Sequence, residues 1–377
     1  MQTDVATPLL GGLSPARFMR RHWQRRPLLV RQALPGVQPP LDRAALFALA
    51  GRDDVESRLV LREGRRWRLR HGPFARRALP PLARAGWTLL VQGLDLHVEA
   101  ARALLERFRF VPDARLDDLM ISYASDGGGV GPHLDSYDVF LLQVQGRRRW
   151  RIGRARDRTL RDDVPLKILR HFEPEQEWLL EPGDLLYLPP AWAHEGTAEG
   201  ECMTCSVGFR APRRNDLSRE VLQALLDAAD DAGPLYADAG APASDAPGRI
   251  PPRLQEFARD AVHRILDAPQ ALERALGEVL SEPKPGVAFE RDERARAGAH
   301  GLRLDRRSRL LYDERHVYFN GESYRAGGRD ARAMRRLADR RCLSADQVRA
   351  LGGEARDLLA QWLQAGWLHA QAAGEGE

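Results

Sequence analysis

The chain has 377 residues, of which 43% are hydrophobic and 29% charged, and its formal net charge is +5. This composition is typical of a soluble globular protein with two or three domains. No stretch approaches the roughly 20 apolar residues that span a bilayer, and the apolar run near Leu9 is too short for a signal peptide. We therefore expect a cytoplasmic protein.

The first block, residues 1–212, begins with a helix signal and continues as short strands. Ser14 can cap a helix whose first turn accepts Pro15, and Phe18, His22 and Trp23 follow at helical spacing. Apolar runs between glycines and prolines predict strands over 87–91, 119–123, 139–144, 185–188 and 203–209. Many short strands with turn signals favour a barrel or a sandwich.

The second block, residues 213–284, is predicted to be helical. One apolar stripe consists of Leu217, Val221, Leu222, Leu225 and Leu226. A linker-like segment follows over 237–252, and further helices are expected near 253–266 and 269–280. Because these few helices cannot enclose a core alone, the stripe needs a partner, and a homodimer is the simplest one.

The third block, residues 285–377, begins with a hairpin and continues with helices. Asn320-Gly321 predicts a two-residue turn, because both residues tolerate positive φ. Helices are expected over 331–338, over 344–351 with Ser344 as the cap, and over 354–365, with a possible strand at 366–368. This pattern is typical of a winged-helix domain. Such domains bind nucleic acid in some proteins and only protein in others, and both alternatives stay open.

The metal-ligand pattern lies in the first block. In a strand, residues two apart point the same way, so His133 and Asp135 present an imidazole and a carboxylate together. A second histidine, His194, follows a turn, a predicted buried strand over 185–188 and a loop with two prolines. Two histidines and one carboxylate form the facial triad of iron(II) oxygenases, which leaves positions open for a 2-oxo acid and dioxygen.

Two further residues predict a binding site for the 2-oxo acid. Strand alternation places Arg148 on the same face as Trp150 and Ile152, which points its guanidinium inward. A buried guanidinium must be paired, and the 5-carboxylate of 2-oxoglutarate would be a bidentate partner. The alternative is a salt bridge to an internal acid. Ser122, the polar residue of the predicted strand 119–123, can add a hydroxyl to the carboxylate pocket.

Several stretches together resemble the bacterial ribosomal oxygenases, which are JmjC-type enzymes. They are the run from Asp117 through Gly-Gly-Gly-Val-Gly-Pro-His-Leu-Asp to Gln-Gly-Arg-Arg-Arg-Trp, the segment Arg21–Pro27, the segment from Pro182 to His194, and Val207–Pro212. The resemblance implies an α+β fold over the whole chain. It consists of a JmjC double-stranded β-helix (a cupin-like jelly roll), a helical dimerisation region and a carboxy-terminal winged helix.

The resemblance also implies an activity, namely hydroxylation of an arginine in the sixteenth protein of the large ribosomal subunit. The cofactors would be Fe(II), 2-oxoglutarate as cosubstrate, and dioxygen. His133, Asp135 and His194 would hold the iron, and Ser122 and Arg148 would bind 2-oxoglutarate. Asp118, Tyr137 and Ser206 are the expected substrate-binding positions. Asp118 also suits a guanidinium chemically, although a surface acid beside Asp117 is the plainer interpretation.

Two alternative functions remain at this point. One is a JmjC hydroxylase or demethylase that acts on another protein residue. The other is a non-catalytic, cupin-like regulatory protein that acts through its winged helix. Cys202 and Cys205 form a lone CxxC without a second pair, and this favours two small residues in a strand over a zinc site.

Overall fold

The computed structural model describes residues 2–229, 233–295 and 300–371, and the chain divides into two compact units, 1–211 and 212–377. No helix in these described ranges is long and apolar enough to cross a membrane.

The first unit is built around one antiparallel sheet. Its strands are β1 (Leu28–Val30), β2 (Ser57–Glu63), β3 (Arg66–His71), β4 (Trp87–Val91), β5 (Leu116–Ala124), β6 (Val139–Arg154), β7 (Gln176–Leu180), β8 (Leu185–Leu188) and β9 (Trp192–Phe209). They are ordered β1-β8-β6-β9-β5-β4-β2-β3, with β7 paired to β6. The two longest strands, β6 and β9, pair with each other from Val139 opposite Gly208 to Arg154 opposite Trp192. They therefore position most of the groups described below.

Three helices accompany this sheet, namely α1 (Pro15–Arg21), α2 (Arg43–Leu49) and α3 (Glu99–Glu106). The Oγ atom of Ser14 accepts a hydrogen bond from the Arg17 amide, so the predicted cap of α1 is confirmed. Phe18 of α1 is fully buried and packs on Phe140 and Tyr187, with ring centroids 5.5 and 4.9 Å away. This aromatic cluster belongs to the main hydrophobic core of the first unit.

The strands that the sequence predicted are confirmed. β4 and β8 have the predicted bounds, and the other three predictions lie within the longer strands β5, β6 and β9. The prediction that His133 and Asp135 share a regular strand is wrong. His133 makes only an isolated bridge to His194, and Asp135 lies in irregular chain. The glycine run and Pro132 before His133 prevent continuous pairing.

The second unit begins with the helices α4 (Arg214–Asp227), α5 (Pro252–Leu266) and α6 (Ala271–Ser281). Val221 and Leu225 of α4 are buried with Ala275 of α6. Leu222 and Leu226, from the same predicted stripe, remain 47% and 57% exposed. The described part of the linker before α5 contains no helix or strand, as the sequence predicted.

The rest of the second unit contains short strands and three helices. The strands are β10 (Leu302–Leu304), β11 (Leu310–Tyr312), β12 (His316–Phe319), β13 (Glu322–Arg325), β14 (Cys342–Leu343) and β15 (Leu368–Ala370). The helices are α7 (Gly328–Arg340), α8 (Ala345–Arg349) and α9 (Gly353–Gln364). The predicted turn joins β12 to β13, with φ of 50° at Asn320 and 92° at Gly321. Ser344 caps α8 in a capping box with Gln347. The last strand begins two residues later than predicted, because Gly366 forms a turn with positive φ.

Candidate metal and cosubstrate site

The three predicted metal ligands lie together at one end of β9. One ligand atom from each of His133, Asp135 and His194 lies within 4.8 Å of the others. The two imidazole rings are 4.2 Å apart, and His194 Nε2 is 3.6 Å from Asp135 Oδ2. His194 is the third residue of β9, and its backbone pairs with that of His133 in both directions at 3.0 Å. The bridge between the two backbones therefore brings the ligands together, although they are far apart in sequence.

Backbone carbonyl groups orient both imidazole rings. His133 Nδ1 lies 2.9 Å from the Gly131 carbonyl oxygen, and His194 Nδ1 lies 3.0 Å from that of Trp192. A proton on each Nδ1 satisfies these contacts and leaves both Nε2 lone pairs free. Burial, and then the neighbouring His133, lower the pKa of His194 below its usual value. The imidazole is therefore neutral at physiological pH, as a metal ligand must be.

The glycine run before His133 allows the chain to pass close to two strands. A Cβ atom on Gly128 would overlap the Trp87 carbonyl oxygen, and one on Gly129 would overlap that of Gly196. Glycine at both positions is therefore needed to deliver His133 to the end of β9. Gly127, in contrast, has open space around it.

Arg148 lies in the same cavity, buried to 3% exposure. Its Nη1 donates to Ser122 Oγ at 3.0 Å and to Thr204 Oγ1 at 3.3 Å, and its Nη2 donates to the Gly196 carbonyl at 3.3 Å. Its buried Nε has no hydrogen-bond partner, and within the described residues no carboxylate pairs with the guanidinium. The alternative of a salt bridge to an internal acid is therefore wrong. An unpaired buried cation of this kind fits the carboxylate of a ligand.

The strand alternation that pointed to Arg148 is confirmed along β6. Arg148, Trp150 and Ile152 are buried, whereas Arg149 pairs with Glu177 and Glu199 at the surface. Trp150 lies beside the guanidinium, with the Arg148 Cζ 5.2 Å from its ring centroid. The aromatic face contributes a cation–π contact but no countercharge.

The cavity has a volume of about 390 Å³ and also contains Tyr137 and Ser206 from the expected substrate-binding set. Tyr137 is 39% exposed as a residue and lines the cavity. Desolvation, and then the charges of Asp135 and Asp118, raise the pKa of Tyr137. The hydroxyl therefore stays protonated and can donate a hydrogen bond.

Asp118 lies beside the cavity, at 2% exposure. Its Oδ2 accepts hydrogen bonds from Gln92 Nε2 at 2.7 Å and from the Gly93 amide at 2.8 Å. The interpretation of Asp118 as a surface acid is therefore wrong. The other carboxylate oxygen is directed towards Gly208, where a Cβ atom would lie 3.7 Å away.

Three residues of the site escaped the sequence analysis. Thr204 supports Arg148, and its alternation with Ser206 in β9 could have revealed it. Gly196 leaves room for the guanidinium, because a Cβ atom there would lie 2.7 Å from Arg148 Nε. Gln92 links Arg58, 3.3 Å away, to Asp118 and has no distinctive sequence signal.

The two cysteines of the CxxC lie buried in β9, as the plainer interpretation predicted. The only group of at least three histidine, cysteine or acidic residues that could hold a metal, among the described residues, is the one at His133. Burial raises the pKa values of the thiols of both Cys202 and Cys205, which keeps them neutral.

Comparisons with known proteins agree with this geometry. Residues 103–217 match the family model of the JmjC domain, and residues 262–369 match that of the ROXA-like winged helix. A jelly-roll sheet with two histidines, one carboxylate and an unpaired buried arginine defines the class of iron(II)- and 2-oxoglutarate-dependent oxygenases. The residues present fit both the metal and the 2-oxo acid.

Named relatives make the assignment more specific. The chain is 36% identical over 317 residues to the ribosomal protein uL16 3-hydroxylase of Escherichia coli, which covers 81% of this chain and 84% of the relative. It is also 36% identical over 210 residues to a probable ribosomal oxygenase of Haemophilus influenzae, covering 54% of this chain and 52% of the relative. The chain therefore belongs to the JmjC-domain ribosomal oxygenases, and the predicted enzyme class is confirmed.

Solved structures match over nearly the whole chain. An X-ray structure of E. coli YcfD superposes with a TM-score of 0.83 at 32% identity and covers 95% of this chain and 98% of that one. The E. coli ribosomal oxygenase YcfD in complex with cobalt and 2-oxoglutarate gives a TM-score of 0.77 at the same identity and coverage. The predicted combination of a cupin-like JmjC sheet and a winged-helix domain is confirmed.

Proposed function

We propose that this enzyme hydroxylates C3 of an arginine side chain in ribosomal protein uL16, the sixteenth protein of the large subunit. The main observation behind this proposal is that one cavity contains both the possible metal ligands, His133, Asp135 and His194, and an Arg148 without a countercharge. Asp118 lies beside that cavity. The name of the E. coli relative supplies the substrate and the position of hydroxylation. When bound, iron(II) and 2-oxoglutarate use dioxygen to insert one oxygen atom into a C–H bond, with release of succinate and carbon dioxide.

His133, Asp135 and His194 hold the metal in this proposal. Their Nε2 atoms and carboxylate converge from two segments that the backbone bridge fixes, so the ligands are positioned before the metal arrives. Arg148, with Ser122 beside it, binds the 5-carboxylate of 2-oxoglutarate. The Nε atom and the hydroxyls give that carboxylate a charged, hydrogen-bonding pocket.

Asp118, Tyr137 and Ser206 bind the substrate arginine in this proposal. A buried carboxylate that is already held by Gln92 and Gly93 can receive a guanidinium without rearranging. Tyr137 and Ser206 add hydroxyls on the cavity wall. Together, the three residues would hold the aliphatic part of the substrate arginine next to the proposed metal ligands.

The experiment combines the full chain with Fe(II), 2-oxoglutarate, air and isolated uL16, and reads the protein by mass spectrometry. We expect one added oxygen atom on an arginine and an equivalent amount of succinate. The His194→Ala variant should give neither product, whereas His171→Ala, which alters an exposed histidine, should match the wild type. Succinate without modified uL16 would contradict the substrate, and loss of a methyl group would indicate a demethylase. Metal binding without any turnover would favour the regulatory alternative.

The proposal also includes the domain boundaries, the oligomeric state and the cellular location of the enzyme. We infer a catalytic domain over 1–212, a helical dimerisation domain over 213–284 and a winged-helix domain over 285–377, working as a homodimer in the cytoplasm. The exposed leucines of α4 and the exposed Leu254 and Val262 of α5 support the dimer, because such side chains gain from burial against a second copy. Action on a ribosomal protein supports the location.

A further inference from the structure

The helix α7 carries a stripe of arginines that the oxygenase reaction does not use. The whole helix contains five arginines and two acidic residues. Four of the arginines, Arg329, Arg332, Arg336 and Arg340, are exposed and recur at spacings of three and four residues. This spacing places them on one face of the helix, along about 16 Å. We call these four residues the α7 arginine stripe.

The stripe lacks countercharges within the described part of the chain. The fifth arginine, Arg335, donates to the Glu314 carbonyl and lies over the Tyr312 ring, and so differs from the stripe. The acids of α7 are engaged by other groups, Asp330 by the Gly352 amide and Asp339 by the Tyr312 hydroxyl. No ion pair of the four stripe residues occurs among the described residues.

The stripe does not serve the stability of the helix. Arg332 and Arg336, and likewise Arg336 and Arg340, are like charges four residues apart, which repel each other. Arg329 lies in the first turn, at the positive end of the helix dipole. An anionic partner outside the described chain would remove this repulsion.

We propose that the α7 arginine stripe binds the phosphate backbone of RNA. A row of four exposed cations suits a polyanion, whereas a protein partner would need a larger apolar interface core than the single exposed Tyr312 beside α7 provides. Arginine forks bind phosphate bidentately and carry no sequence information, so the contact positions the enzyme on RNA without reading bases. The choice of RNA over DNA rests on the proposed function, since a ribosomal protein is found with ribosomal RNA.

The helix that occupies the usual base-reading position, α9, is not suited to binding nucleic acid in this protein. In helix-turn-helix proteins the second helix of the motif enters the major groove. Its counterpart, α9, exposes Glu354 and Asp357 beside Arg356, so its exposed start is not basic. The nucleic-acid contact of this winged helix is therefore assigned to α7.

The test measures binding of the full chain to a fluorescent RNA hairpin by anisotropy over a salt series, with a DNA duplex of the same sequence as a second probe. The variant R329Q/R332Q/R336Q/R340Q removes the stripe. The matched control R214Q/R219Q/R253Q/R259Q removes four exposed charges from the helices before the winged helix. We expect the stripe variant to bind RNA at least about tenfold more weakly than the wild type. The slope of log K for RNA binding against log salt concentration should also be smaller, by up to about 3.6 for the four lost charges.

Equal RNA affinity of the stripe variant and the wild type would overturn the proposal, as would an equal loss in the control variant. Tighter binding of DNA than of RNA would also overturn the assignment to RNA. The Arg-to-Lys version of the stripe variant keeps the charges and should retain most of the affinity, which separates lost charge from lost folding. Hydroxylation of isolated uL16 should be unchanged in the stripe variant, so failure of this inference and failure of the proposed function give different results.

Discussion

Arg148 is held by two hydroxyls and one carbonyl oxygen, and none of these groups carries a negative charge. Burial lowers the pKa of Arg148, but a guanidinium keeps its proton in proteins. These neutral groups and the Trp150 ring therefore offset only part of the desolvation cost of the buried cation. In the proposed function, the 5-carboxylate of 2-oxoglutarate supplies the missing countercharge, and this favours a 2-oxo acid with a second carboxylate.

Replacing Arg148 by methionine keeps the apolar volume and removes the donor fork. We expect the KM for 2-oxoglutarate to rise about 10- to 100-fold, which corresponds to a lost charged hydrogen bond of about 1.5–3 kcal/mol. Initial rates of succinate formation at varied 2-oxoglutarate give this constant. Arg147→Met alters the exposed arginine next to it and should leave the constant unchanged. Equal constants for wild type and Arg148→Met would refute the assignment.

At the scale of the element, the irregular segment before His133 depends on its glycines. Gly129→Ala should weaken metal binding, because the new methyl group overlaps the Gly196 carbonyl oxygen and displaces His133. We expect a loss of about tenfold or more in Fe(II) or Co(II) affinity, measured by anaerobic calorimetry. Gly127→Asn is the control, since its φ of 66° is one that asparagine tolerates and nothing lies nearby. If both variants bind metal like the wild type, the close approach is not what positions His133.

A second element-scale feature is Asp305, which follows β10 and is 3% exposed. Burial alone would raise the pKa of its carboxyl group, but hydrogen bonds from His369 and Arg307 outweigh burial and lower it. Because the folded-state pKa is depressed, the stabilisation is complete above the unfolded-state value of about 3.9 and disappears as the pH falls through the folded-state value.

The Asp305→Asn variant should therefore be less stable than the wild type at pH 6, by about 1–3 kcal/mol. The difference in Tm should shrink below about pH 4, because the carboxylate of the unfolded wild-type chain then takes up a proton while that of the folded chain stays charged. Thermal unfolding at several pH values measures both quantities. Asp346→Asn, which removes an exposed acid, should change little at any pH. A pH-independent difference for Asp305→Asn would show that its charge is not the cause.

At the scale of the whole molecule, the proposed dimer depends on the leucines that α4 leaves exposed. The double variant Leu222→Glu/Leu226→Glu should dissociate the dimer, because two carboxylates would be buried in an apolar interface. Sedimentation velocity of wild type and variant gives the oligomeric state. Leu160→Glu, at a 42% exposed leucine of the first unit, is the matched control. A monomeric wild type would contradict the dimer.

The sequence predicted those features that depend on local rules. Ser14 and Ser344 cap their helices, and Asn320-Gly321 forms its turn, because each of these signals acts within a few residues. Arg148 was placed correctly because β6 is regular there and alternation holds. The roles of Gly196 and Gln92 could not be predicted, since each depends on a strand brought close only by the fold. His133 and Asp135 meet His194 through a bridge, although they do not share a regular strand.

The strand β9 is the last strand of the first unit, and it supplies His194, Thr204 and Ser206. It lies between β5 and β6 in the sheet, so it must insert between two strands that are synthesised before it. During translation, a chain whose residues 192–209 have not yet emerged from the ribosome contains only two of the three proposed metal ligands. The proposed metal site can therefore be completed only when β9 enters the sheet between β5 and β6.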